Sequence, residues 1–212
     1  SRALVASVRG ASTLAQHRYF ETGAHLDRMA YYSRLIARSL APKYGLDVTT
    51  VEHIFLFSPL HDIGKIAVPD SILFKPGRLT QEEFAMMKKH PEQGAEMIDA
   101  LLEHFGLTAM PQAGLLRNIA LHHHETVNGK GYPYGLAGED IPLEARIAAV
   151  ADVFDALTSK RPYKEAWSNE QAFETLQKMA GDFLDRDCVA VLIAAREEIE
   201  RIQARFKEDP EG

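Results

Sequence analysis

Cysteine is nearly absent from this chain: Cys188 is the only one among 212 residues, which excludes an intrachain disulfide and leaves any metal site to imidazoles and carboxylates. No apolar run approaches the roughly 20 residues that a bilayer-crossing helix needs. No secretory leader is visible either, so the expected setting is the cytoplasm, with no membrane insertion. Basic residues do not predominate: 24 Lys and Arg stand against 30 Asp and Glu, for a net charge of −6. A polymer of DNA or RNA is a poor partner for such a chain, because its binders present a broad basic surface that releases counterions from phosphate. Any phosphate ligand must therefore meet local positive charge. Internal repeats and low-complexity stretches are also lacking.

What is present is 46% hydrophobic residues, enough for one domain with a continuous core. The apolar positions recur at helical spacing, as in Met29, Tyr32, Ile36 and Leu40, and again in Phe84, Met87, Ile98, Leu101 and Leu102. The expected fold is all-α, a bundle of about seven helices near 4–41, 49–62, 80–104, 112–124, 142–158, 168–181 and 186–207. Pro42, Gly45 and Asp47 separate the first two helices. Thr80 with Glu83 reads as a capping box, and Asp185 as a cap of the last helix. Two long non-helical stretches remain, about 63–79 and 125–141, and each directly follows candidate chemistry.

That chemistry starts at Leu60-His61-Asp62-Ile63-Gly64-Lys65, where an imidazole and a carboxylate stand side by side ahead of a lysine. Neighbours on a helix point about 100° apart, so the pair suits two metals, or one bridging carboxylate with a terminal imidazole. Glu21 and His25 stand at i and i+4 and would project from one helix face; alone, such a pair is as readily an exposed polar pair. His90 precedes Pro91, and His123-His124 closes a helix before Asn128-Gly129-Lys130-Gly131-Tyr132-Pro133. Asp152 lies within Ala148-Ala149-Val150-Ala151-Asp152-Val153-Phe154, where burying a carboxylate is costly without a cation or hydrogen-bond donor. A thiolate-free set of this kind favours iron, manganese, zinc or nickel in a catalytic role. Two close cations can share a hydroxide, lower its pKa and neutralise phosphate charge, so hydrolysis of a phosphoester is the expected chemistry.

Taken together, His61-Asp62-Ile63-Gly64-Lys65, His90-Pro91-Glu92-Gln93-Gly94, His123-His124-Glu125, Gly131-Tyr132-Pro133 and Asp152-Val153-Phe154-Asp155-Ala156-Leu157-Thr158-Ser159 with Arg161-Pro162-Tyr163-Lys164 resemble the HD-GYP subgroup of the HD phosphohydrolases. The resemblance spans roughly residues 17 to 187 and implies a helical HD domain. It also implies hydrolysis of cyclic di-GMP, a bacterial dinucleotide messenger, to linear pGpG and in some members onward to GMP. By motif position it implies His61, Asp62, His90, His123, His124 and Asp152 as ligands of a two-metal core, with Asp62 bridging. Glu21 and His25 match the extra positions of members that look trinuclear, so two or three divalent ions are expected, iron foremost and manganese next. Lys65 resembles the lysine that touches the scissile phosphate, and Arg161 and Lys164 resemble residues that hold the substrate phosphates. Tyr132 is expected to shape the pocket or meet a partner.

Residues 1–16, with apolar positions at 4, 5, 8 and 14, are expected to be the end of a signalling helix from an upstream sensor or receiver domain, and 17–212 the catalytic domain. Some details depart from the family pattern. Asn128 stands where Asp is more frequent, and Glu103 to Pro111 lengthens the connection between His90 and His123. His122 makes a run of three histidines, of which the alignment to Glu125 selects the last two. Asp155, one turn after Asp152, reads as a carboxylate supporting a ligand. The amphipathic C-terminal helix, through Ile199, Ile202 and Phe206, suits packing on the core or a homodimer. Two rivals stand beside cyclic di-GMP hydrolysis: action on another cyclic dinucleotide such as cyclic GMP-AMP, and a metal-retaining signalling module that binds with little turnover.

Overall fold

A computed structural model of the chain describes residues 10, 23–160 and 165–207. Among these residues the fold is all-α. The helices are α1 (Gly23–Tyr44), α2 (Val48–Phe57), α3 (Asp70–Leu73), α4 (Gln81–Met87), α5 (His90–His104), α6 (Ala113–His122), α7 (Leu143–Thr158), α8 (Asn169–Met179), α9 (Arg186–Ala194) and α10 (Arg196–Arg205). The expected segment 1–16, along with Glu21, Arg161 and Lys164, lies outside the described residues apart from Gly10, which is helical.

Helix α1 packs against α2, α7, α9 and α10. It buries Met29, Tyr32, Ser33, Ile36, Ala37 and Leu40, spacings of three and four that put one stripe into the core. Each large apolar side chain so buried contributes about 1.5–3 kcal/mol. Tyr32 meets Phe154 of α7 edge to face at 5.1 Å, and Phe154 stacks on Phe173 of α8 at 5.6 Å. Ile199 and Ile202 of α10 are buried in the same core.

Several expected boundaries are corrected. Pro42 does not end α1 but lies inside it; the break falls at Gly45, whose φ of 66° is one that side chains with a Cβ rarely adopt. The expected helix 80–104 divides into α4 and α5 around Lys88 and Lys89, where Pro91 sits in the first turn of α5. The expected helix 186–207 divides at Ala195. Within the stretch expected to be non-helical at 63–79 lie a 3-10 segment, Ile63–Ala67, and the short α3. The caps hold as read: Thr80 and Glu83 form a reciprocal capping box, and the Asp185 carboxylate accepts from the Cys188 amide at 2.9 Å.

Candidate metal centre

Helix α2 stops at Phe57 rather than near residue 62, and the chain tightens into a 3-10 turn at Ser58–Leu60 that contains Pro59. His61 caps that turn, and Asp62, at φ −98° and ψ 12°, begins the next. The pair therefore sits in the bend between two 3-10 turns rather than on a continuous helix. The following segment passes the start of α5 so closely that a Cβ on Gly64 would fall on the His90 carbonyl. Gly94 meets Gly64 from the other side, so two glycines of the recognised motifs are there for close backbone approach. This contact brings Asp62 to His90.

Two groups of donors result. Asp62, His90, His123 and His124 offer one atom each within 4.8 Å of one another, and His25, His61 and Asp152 do the same. Asp62 joins them. Its Oδ1 lies 3.1 Å from His90 Nε2 and 3.4 Å from His123 Nε2, while its Oδ2 lies 3.2 Å from His61 Nε2 and 2.5 Å from Lys65 Nζ. His61 Nε2 in turn is 3.8 Å from Asp152 Oδ1.

The outer nitrogens decide what these atoms can do. His61 Nδ1 donates to the Ser58 carbonyl at 2.9 Å, His90 Nδ1 to Met87 at 2.8 Å, and His123 Nδ1 to Ala120 at 3.0 Å. A carbonyl only accepts, so each proton sits on Nδ1 and each Nε2 carries a lone pair. His90 and His123 then point lone pairs at each other, 3.4 Å apart, and at a buried Asp62 oxygen that has no hydrogen-bond partner. Such an arrangement repels itself unless a cation lies among the donors. The donor set therefore fits a divalent metal.

The electrostatics agree. Burial alone would raise the Asp62 carboxyl, but the positive charge of the Lys65 ammonium beside it, foremost, outweighs this and holds the group well below the usual carboxylate range. Burial pushes His123 and His124 down, so both stay neutral. Burial also pushes the Tyr132 hydroxyl up, and its ring stacks on His124 at 4.7 Å. Asp152 is less buried than its apolar helix implies: its side chain is 25% exposed, whereas Asp62, Glu125 and Asp155 are buried.

Asp155 lies one turn on and accepts from His25 Nδ1 at 2.7 Å and from Arg28 Nε at 2.5 Å. Burial would raise it, and the hydrogen bonds from His25 and Arg28 bring it down. Arg28 carries no motif and was not visible as a site residue, although its place three residues after His25 on one helix face is the signal that finds it. Glu125 is another: its buried carboxylate accepts from the amides of Tyr134 at 2.8 Å and Leu136 at 3.0 Å, closing the loop after α6. A Cβ on Gly131 would strike the His124 carbonyl and the Glu125 backbone, so this loop folds against the histidine pair only with glycine there. His122 joins neither group and packs toward Tyr134 at 5.9 Å.

A family profile described as HD domain matches residues 12–188. The chain belongs to the HD domain family. This HD domain is 48% identical over 185 residues to the cyclic di-GMP phosphodiesterase response regulator RpfG of Xanthomonas campestris pv. campestris, covering 87% of this chain and 46% of that protein. It is 38% identical over 196 residues to a cyclic di-GMP phosphodiesterase of Thermotoga maritima, covering 92% and 50%. It is 43% identical over 184 residues to the 3'3'-cGAMP-specific phosphodiesterase 2 of Vibrio cholerae, covering 87% and 33%. The chain thus spans about half or less of the length of these curated relatives. Among solved structures, Bd1817, an HDG"Y"P protein from Bdellovibrio bacteriovorus, shares the fold with a TM-score of 0.60 at 24% identity, over 84% of this chain and 54% of that one. Among the described residues, no helix is long and apolar enough to cross a membrane.

Proposed function

We propose that this HD domain is a metal-dependent phosphodiesterase that hydrolyses cyclic di-GMP to pGpG, the extent of any further hydrolysis to GMP being read from the products. The observation that carries the reading is the pair of donor groups joined through Asp62, with every outer imidazole nitrogen already committed at His61, His90 and His123. We assign His90, His123 and His124 with Asp62 to one ion, and His25, His61 and Asp152 with the second oxygen of Asp62 to another. Glu21, which stands one turn before His25 in the sequence, is the proposed source of a further ligand for a third. Iron is the proposed metal and manganese the alternative. When bound, the ions supply Lewis acidity and an activated nucleophile at phosphorus.

The chain's own residues do the rest. Asp62, with one oxygen beside each group, would offer a lone pair to both and so fix their spacing. Lys65, at 2.5 Å from Asp62 Oδ2 and partly exposed, is positioned to turn its ammonium to a phosphate oxygen as negative charge develops. Arg161 and Lys164 are the proposed holders of the non-bridging oxygens, supplying the local positive charge that an acidic chain otherwise lacks. Residues 17–212 are proposed as the catalytic unit and 1–16 as a connection to an upstream sensor or receiver domain, in a cytoplasmic protein able to form a homodimer. The shortfall in length against the relatives supports the upstream fusion.

A second substrate has support from the 43% identity to a cGAMP-specific enzyme. The test is chromatographic product analysis with cyclic di-GMP and 3'3'-cyclic GMP-AMP, using anaerobically purified protein loaded with ferrous or manganous ion. Metal-dependent pGpG or GMP is the expected result. Turnover of cyclic GMP-AMP alone would transfer the proposal to that substrate, and binding without product from either would leave a signalling module.

A further inference from the structure

His25 differs from the other clustered histidines in how it is held. Where His61, His90 and His123 each lean on the main-chain carbonyl three residues back, His25 Nδ1 reaches a carboxylate from another element, Asp155 of α7. Asp155 does not stand alone. Its Oδ1 accepts from Arg28 Nε at 2.5 Å, and its Oδ2 from Arg28 Nη2 and from the Ser159 hydroxyl, both at 3.1 Å. Arg28 Nη2 also donates to Ser159 Oγ at 2.7 Å, which locks the end of α7 onto α1.

The remaining arm of Arg28 reaches further. Its Nη1 donates to the main-chain carbonyl of Phe206 at 2.9 Å, at the end of α10 and 178 residues away in the chain. The same end is fixed from the side: the Phe206 ring packs on Tyr31 at 4.9 Å, and the Arg205 guanidinium lies over Tyr31 at 5.3 Å. Arg28, Asp155 and His25 are all buried, so a guanidinium that loses one of these partners leaves polar atoms short of a bond in a mostly enclosed place.

We propose that Arg28 and the end of α10 are positioning elements for the second donor group: the Phe206 carbonyl orients Arg28, Arg28 orients Asp155, and Asp155 holds His25 with its proton on Nδ1 and its Nε2 toward His61 and Asp152. Occupancy of that group then depends on the C-terminal helix, whereas the group of His90, His123 and His124 does not. The inference rests on the metal reading above. It makes the ion at His25 the one whose affinity follows the docking of α10.

The experiment is metal titration of the whole chain with manganous ion, followed by metal analysis, on three variants. Arg28→Lys keeps the charge but cannot span Asp155, Ser159 and Phe206 together. A truncation after Arg205 removes the Phe206 carbonyl, and Phe206→Ala removes the ring while keeping that carbonyl. The expected result is that one equivalent binds about 10–100-fold more weakly in Arg28→Lys and in the truncation, with another equivalent unchanged. Phe206→Ala keeps both. In metal-free protein, nitrogen-15 NMR should find His25 as the Nδ1-protonated tautomer in wild type and a mixture in Arg28→Lys. Wild-type stoichiometry and affinity in the first two variants, in protein whose circular dichroism is native, would overturn the inference and leave the metal reading intact. Equal weakening of all equivalents would overturn it too. Wild type that binds no metal would overturn both. If Arg28→Lys does not fold, the truncation against Phe206→Ala decides alone.

Discussion

Gly64 lies so close to His90 that the backbone of one motif touches the backbone of the other, with no space for a methyl group between them. The pair of motifs is thus a packing unit before it is a chemical one. Gly64→Ala is expected to destabilise the fold by about 1–3 kcal/mol, because the obstruction is main chain that cannot rotate away. It should also lower metal affinity, since Asp62 and His90 would be forced apart. Urea denaturation of the metal-free variant, paired with manganous titration, checks both.

Glu125 performs a comparable service with charge. Its carboxylate is the acceptor for two amides across the loop that ends in Tyr134 and Leu136. Glu125→Gln should cost about 1.5–3 kcal/mol, since one of the two charge-assisted bonds becomes neutral and the other is lost where an NH2 donor meets a backbone N–H. Amide hydrogen exchange should rise at residues 126–138 ahead of the core helices. Equal protection in both proteins would contradict this role.

The pH dependence of the metal-free protein has a definite sign. Burial holds His123 and His124 below the ordinary imidazole value of 6.5, so below that pH the unfolded chain binds protons that the native site refuses. Stability should therefore fall as pH drops from about 6.5 toward 5, by up to about 1.4 kcal/mol per pH unit for each such group. Asp62 and Asp155 are held below 3.8 and lose their contribution only under about pH 4, outside that window. Denaturation midpoints in chelator across pH 5 to 8 provide the check. A double His123→Gln, His124→Gln variant should show a flatter profile.

Much of this was legible in the sequence. Helical periodicity gave the all-α class, and the Thr80 and Asp185 caps read true because capping is local. Motif spacing named residues that folding brings together from α1, the turn after α2, α5, α6 and α7. What sequence could not supply was the result of packing between elements. Pro42 continues α1, and Ala195 breaks what periodicity joins, because tertiary contacts outweigh local preference there. The apolar neighbours of Asp152 imply a buried carboxylate, yet its side chain is 25% exposed while Asp155, one turn on, is enclosed. Arg28 was missed for the same reason, since its partners lie 127 and 178 residues away.

Lys65 should divide the kinetic parameters. It pairs with Asp62 in the free protein and would gain its value as charge develops on phosphate, so Lys65→Met is expected to lower kcat by about 10²–10³-fold with little change in KM. Unchanged kcat with a raised KM would instead make it a ground-state binding residue.

The most direct test of the centre is the number of metal equivalents held by the wild-type chain and by Asp62→Asn after identical anaerobic loading and gel filtration. Two or more equivalents are expected in the wild type. In Asp62→Asn, which loses the one carboxylate shared by both groups, retention of every ion should fall sharply. The same stoichiometry in both proteins would contradict the bridging role of Asp62 and dissolve the two groups into independent sites.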